Sequence, residues 1–191
     1  MYRAVALDAL ENNLSDPDDI AKRVREITID FDWSQRPAAV LLNHRDVSDQ
    51  IRTPEVTEHT YLAADNPWVR SHLVETQRAI GAAAGSLVTE GRDQGTIVFP
   101  HAEFKFYLDA QAEERARRRI AQLAAKGMPA EAADVLKQLL ARDKRDADRA
   151  VGPLARSPDA RVIDTTHLTL DSVVSEMERI VRQGPGSAVR P

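Results

Sequence analysis

The sequence predicts an α/β fold built on a parallel sheet and carrying an antiparallel insert. In the second half, short apolar runs alternate with charged helical stretches of ten or more residues, as parallel strands joined by crossover helices do. In the first half, apolar runs at 27–32 and 38–43 flank a Ser/Pro turn, which reads as a hairpin. A length of 191 residues with 42% apolar content fits one domain with a smaller inserted lobe.

Residues 2–12 are rich in alanine and leucine and read as a helix with no capping residue before it. Asp16-Pro17-Asp18-Asp19 starts a short helix running through Val24 and Arg25. The 27–32 run alternates apolar and polar residues as a half-buried strand does, and 38–43 is its partner across a turn at 34–37. Thr53-Pro54-Glu55 opens a helix, Asn66-Pro67 breaks it, and residues 68–83 continue as a long helix. Residues 86–90 read as a short buried strand entering the loop Gly91-Arg-Asp-Gln-Gly95. A strand at 104–109 and a charged helix at 112–125 follow, and Gly127-Met-Pro129 punctuates the helix. Helix 130–145, strand 161–164 and helix 172–182 complete the fold, with residues 183–191 expected as a disordered tail.

Composition narrows the chemistry. There is no cysteine, which excludes disulfides, thiolate nucleophiles and zinc–cysteine sites and fits a reducing compartment. No segment has the length of a membrane span, the N-terminus lacks a signal-peptide core, and a net charge of −4 does not suit a nucleic-acid-binding polycation. Of the 26 basic residues only five are lysine, so 21 are arginine, the planar fork that grips phosphate and carboxylate in bidentate fashion. The five histidines (44, 59, 72, 101, 167) have no metal-binding spacing and read as surface or turn residues. Trp33 and Trp68 read as packing residues.

Three segments stand out. The 91–95 loop follows a predicted strand, where α/β sheets bind ligands. There Arg92 suits a phosphate and Asp93 an amino group, although an ordinary turn has the same composition. Arg142, Asp146 and Arg149 are spaced four and three apart, so one helical face carries all three. Such a run is either a solvated face or a guanidinium cluster held by a carboxylate. In Glu113-Glu-Arg-Ala-Arg117-Arg118-Arg119 the three adjacent arginines cannot all face one way.

Taken in order, MYRAVALDAL at 1–10, DVSDQIRTPEV at 46–56, NPWVRSHLVETQR at 66–78, EGRDQGTIVFP at 90–100, FYLDAQAEERARRR at 106–119, RDKRDADRAVGPL at 142–154 and VIDTTHLTLDSVV at 162–174 resemble the bacterial cytidylate kinase family. The resemblance implies a P-loop NTPase-type nucleoside monophosphate kinase fold over residues 1–182: a parallel sheet, an inserted monophosphate-binding lobe at about 26–80 and a lid region at about 112–150. It implies phosphoryl transfer from ATP, with Mg2+, to CMP or dCMP in the cytoplasm, by a protein that is monomeric when complete and has no polymeric nucleic acid or membrane as partner. Arg3 is then a clamp on the CMP phosphate, with Arg92 and Arg149 as partners, and Arg70 with Asp93 reads the cytosine edge. Asp146 contacts the sugar hydroxyls, while Arg117, Arg118 and Arg142 reach ATP phosphates from the lid. Arg92, Arg142 and Arg149 form the implied catalytic set, and no metal-ligating residue is implied.

The sequence departs from the family at Tyr61, where a small hydroxyl residue is expected against the base, and neutrally at Gln94 and Gly152. No glycine is followed by lysine, so the G-x-x-x-x-G-K-[ST] loop is not among these residues, and Met1 takes the place of an internal methionine. The expectation is a chain truncated at its front, with CMP binding partly kept and turnover lost, exposed sheet edges, and low stability or self-association. The alternatives are a non-catalytic binder of pyrimidine monophosphate and a kinase for another monophosphate such as UMP, which Arg70 with Asp93 disfavours.

Overall fold

The computed structural model describes residues 1–125 and 127–184. The chain divides into two units, Met1–Val88 and Thr89–Pro191.

The first unit is mainly helical, with a small sheet. Helix α1 (Tyr2–Glu11) carries no side-chain cap, as expected, and buries Ala4, Val5, Ala6, Leu7 and Ala9. Helix α2 (Pro17–Arg23) is capped by Asp16, whose side chain accepts from the backbone of Asp18 and Asp19. Arg23 grips the buried Asp8 carboxylate through Nε at 2.9 Å and Nη2 at 3.2 Å, tying α2 to α1. Strand β1 (Ile29–Asp32) pairs antiparallel with β2 (Ala39–Leu42), confirming the hairpin, and a short β3 (Arg45–Asp46) adds a third strand that the sequence did not signal. A 3-10 turn (Gln50–Arg52) leads into α3 (Pro54–His59), capped by Thr53, and α4 (Tyr61–Ala64). The long α5 (Pro67–Ala84) begins at Asn66, which caps Trp68 and Val69 and donates through Nδ2 to Pro17 O at 2.7 Å. The core joins Leu7, Ile20, Val24, Leu42, Val69 and Leu73.

A first correction falls at the division between the units in the sequence. Residues 86–90 form no strand and are exposed, with Val88 at 94%. The segment has the composition of a buried strand, but among the described residues nothing pairs with it. Without a neighbour an apolar run gains nothing from the extended form. The 91–95 loop passes into a tight π-type turn (Gln94–Val98). There the Asp93 carbonyl accepts from the backbone of Thr96, Ile97 and Val98 at 3.3, 2.9 and 3.2 Å. Strand β4 (Phe106–Asp109) pairs in parallel with β5 (Arg161–Asp164), the parallel pairing that the alternation predicts. Between them run α6 (Ala112–Ala124) and α7 (Ala132–Asp148), which pack on each other and are latched by Arg115 Nη2 and Asp143 Oδ2 at 2.6 Å. Gly127, at φ +70, lets the chain turn out of α6.

Helix α8 (Leu170–Gln183) begins two residues before the predicted start, because Thr169 and not a later residue caps it. It also takes in Gln183, the first residue of the predicted tail, while 185–191 lie outside the described residues. A second correction concerns the tryptophans. Trp33 stacks on Phe31 at 5.2 Å yet is more than half exposed, and Trp68, in the first turn of α5 two residues past the Asn66 cap, is 63% exposed. Among the described residues no helix is long and apolar enough to cross a membrane.

Candidate active site

Each unit assembles its own set of the residues singled out in the sequence. In the first unit, Arg3 projects from the opening turn of α1. Its Nη1 donates to Ile51 O and to Thr57 Oγ1, both at 3.0 Å, which links α1 to the 3-10 turn and to α3. Arg70 lies one turn into α5 and is only 4% exposed. Its Nη1 donates to Ala64 O, the last residue of α4, at 3.0 Å, and its guanidinium stands 5.3 Å over the Tyr2 ring. Neighbouring residues of α1, Tyr2 and Arg3, therefore serve two different arginine environments. Tyr61 is half-exposed and stacks loosely on His59 at 6.2 Å.

The second unit gathers a guanidinium cluster. Asp146 is 5% exposed near the end of α7, and three arginines surround its carboxylate. Arg149 Nη2 donates to Oδ1 at 2.7 Å, Arg92 Nε faces Oδ2 at 3.2 Å and Arg142 Nε faces it at 3.8 Å. The four-and-three spacing thus brings Arg142, Asp146 and Arg149 together, and the loop adds Arg92, which no helical period could have signalled. Oδ2 itself is buried and makes no hydrogen bond. The backbone helps to hold the acid: Leu154 N returns to Asp146 O at 2.7 Å across a turn that contains Gly152 at φ +66. Asp93, beside Arg92, is also buried.

The electrostatics favour an anion here. Three cations face one carboxylate, and the Arg142 guanidinium is held below the usual arginine range by partial burial and then by the positive charge of Arg92, against the pull of Asp146 and Asp143. A cation whose charge is disfavoured by a like neighbour is relieved by an incoming anion.

Arg117 and Arg118 stand apart from that cluster in their contacts. Arg117 makes a two-toothed pair with Glu114 at 2.7 Å and is largely exposed. Arg118 also reaches Glu114 at 2.8 Å, donates to Thr165 Oγ1 at 3.1 Å and to the Thr165 carbonyl, and so pins α6 to the turn after β5. Glu114 is the shared anchor, and its carboxyl is pulled down to about 2, first by the Arg117 hydrogen bond. Its spacing of three and four from the arginines was visible in the sequence as a helical pairing pattern. Other contributors left no sequence signal. Lys105 bridges Pro100 O and Asp159 at 2.5 Å each and packs under Gly95, where a Cβ would come within 3.3 Å of its side chain. Among the described residues no group of three or more His, Asp and Glu side chains is gathered to hold a metal ion.

Comparison with known proteins places the chain in a family. The family described as Cytidylate kinase matches residues 1–183. The cytidylate kinase of Carboxydothermus hydrogenoformans is 43% identical over 183 residues, covering 95% of this chain and 82% of the relative. That of Geobacter sp. (strain M21) is 42% identical over 185 residues, covering 96% and 79%. That of Haemophilus ducreyi is 40% identical over 178 residues, covering 92% and 79%. Cytidylate kinases are phosphotransferases of the nucleoside monophosphate kinase type. With a match that runs from Met1 to Gln183, this chain belongs to the cytidylate kinase family.

Proposed function

We propose that the chain serves ATP-dependent phosphorylation of CMP or dCMP to the diphosphate, in the cytoplasm. In this reaction an oxygen of the monophosphate attacks the γ-phosphorus of ATP, the bond to the β–γ bridging oxygen breaks, and ADP leaves. The protein's task is to place the two nucleotides and to neutralise charge. By the family resemblance, Arg3, Arg92 and Arg149 are read as phosphate ligands, and Arg70 and Asp93 as readers of the cytosine edge. Arg142 steadies the charge on the transferred group, and Arg117 and Arg118 exchange their protein partners for ATP phosphates. Asp146 Oδ2, a buried acceptor without a hydrogen bond, suits a sugar hydroxyl. Mg2+ would supply charge neutralisation at the ATP phosphates.

The observation that carries this reading is the convergence of Arg92, Arg142 and Arg149 on one buried carboxylate, which gathers three guanidinium groups of the kind that grips phosphate. Titration calorimetry with CMP and UMP tests it. Arg92→Ala is expected to weaken CMP by about tenfold or more, the loss of a charged hydrogen bond. Asp93→Ala is expected to erase the preference for CMP over UMP. If both variants bind CMP as the wild type does, the reading fails. A second reading, binding without turnover, predicts the same CMP affinities for these variants. Measuring CDP formation on the same preparation separates the two.

A further inference from the structure

We propose that Thr57 is a positioning residue for the Arg3 guanidinium and, through it, for the phosphate of the bound nucleotide. This rests on the reading of Arg3 as a phosphate clamp and goes one step outward from it. Thr57 Oγ1 receives Arg3 Nη1 at 3.0 Å and itself donates to Thr53 O at 2.8 Å. A hydroxyl has one proton, and here it points to Thr53, so a lone pair is turned toward the guanidinium. Thr53 is fixed in turn. It caps α3 through Val56 N and donates its own hydroxyl to Gln50 O at 3.0 Å.

Arg3 Nη1 has two N–H bonds. Ile51 O from the 3-10 turn and Thr57 Oγ1 from α3 account for both, so two elements set the plane of the guanidinium. A guanidinium set in one plane is the kind of planar fork that grips two oxygens of a phosphate. An arginine side chain has much rotamer freedom to lose on gripping a ligand. Thr57 removes part of that freedom beforehand, and it does so without touching the nucleotide.

The test compares CMP with cytidine, which lacks the phosphate, by calorimetry on the full 191-residue chain. Thr57→Val keeps the shape and removes the acceptor. It is expected to weaken CMP by about tenfold, the scale of one charge-assisted hydrogen bond, and to leave cytidine binding unchanged. Thr57→Ser keeps the oxygen and is expected to restore CMP affinity. Should Thr57→Val fail to fold, Thr57→Ala carries the same comparison. Unchanged CMP affinity in the acceptor-less variant overturns the proposal. So does an equal loss for CMP and cytidine, which would mark a purely structural role, and so does tighter CMP binding, which would mean that Thr57 holds Arg3 away from the phosphate. Arg3→Ala separates the two levels. If it leaves CMP affinity unchanged, the clamp reading fails; if it weakens CMP while Thr57→Val does not, only the positioning role fails. In the Arg3→Ala background, Thr57→Val is expected to add no further loss.

Discussion

Glu114 shows how one side chain can fix several others. Its carboxylate accepts from Arg117 through two nitrogens and from Arg118 Nε, and Arg118 continues to the turn after β5. These bonds exist only while the carboxyl is ionised, which is why its pKa falls from the ordinary 4.5 to about 2. A folded-state pKa below the unfolded one means that the group stabilises the fold above pH 4.5 and that the contribution disappears as the pH drops from there through about 2. The expected result of a carbon-detected NMR titration is a Glu114 midpoint well below the ordinary 4.5. A Glu114 midpoint near the ordinary glutamate value would show that the paired geometry does not persist in solution. The same reasoning explains what was legible at this scale. Helical spacing announced Asp146 with Arg142 and Arg149, and it held the pairing of Glu114 with Arg117 and Arg118 that the sequence reading did not draw, because partners three and four apart lie on one face. Arg92 joining Asp146, and Thr57 and Ile51 holding Arg3, required tertiary contact across 54, 54 and 48 residues, and sequence periodicity carries no such information.

At the scale of elements, capping decided where reading the sequence succeeded. Asp16, Thr53 and Asn66 each precede a proline, and each accepts from the backbone of the helix it opens. Asn66 does more than cap. Its Oδ1 takes Trp68 N and Val69 N, its Nδ2 reaches back to α2, and Arg70 stands on the turn it starts. Asn66→Ala is expected to lower stability by about 1–2 kcal/mol in urea unfolding, combining a lost cap with the lost Nδ2 hydrogen bond to Pro17 O. Because the start of α5 sets the direction of Arg70, CMP affinity should fall with it. A variant that melts and binds like the wild type would show that packing alone aligns the helix. The strand prediction at 86–90 failed for the complementary reason. Helices make their hydrogen bonds internally, whereas a strand exists only beside another strand. Leucine and valine there satisfied the composition of a strand, but composition cannot supply a partner.

At the scale of the whole chain, the consequence is uncovered apolar surface. Parallel strands are ordinarily covered on both faces and flanked on both sides. Here β4 and β5 pair with each other, and among the described residues neither has a second strand beside it. Leu108 is 52% exposed on β4, Val162 is 47% exposed on β5, and Val88 stands almost fully in water. Open edges with apolar side chains are templates for pairing with another chain, and a two-stranded sheet is marginal by itself. The 191-residue chain is therefore expected to associate as its concentration rises, seen as increasing sedimentation coefficients and light scattering. Lysine on the exposed strand positions, Leu108→Lys with Val162→Lys, is expected to suppress that association, because a charge carried to an edge must be desolvated before a second edge can pair with it. The two substitutions lie away from Arg92, Arg142, Asp146 and Arg149 in sequence and alter none of the contacts described for them, so loss of association should come without loss of CMP affinity. A chain that sediments as a monomer at every concentration, and melts in one sharp transition, would show that these edges are stable in water as they stand.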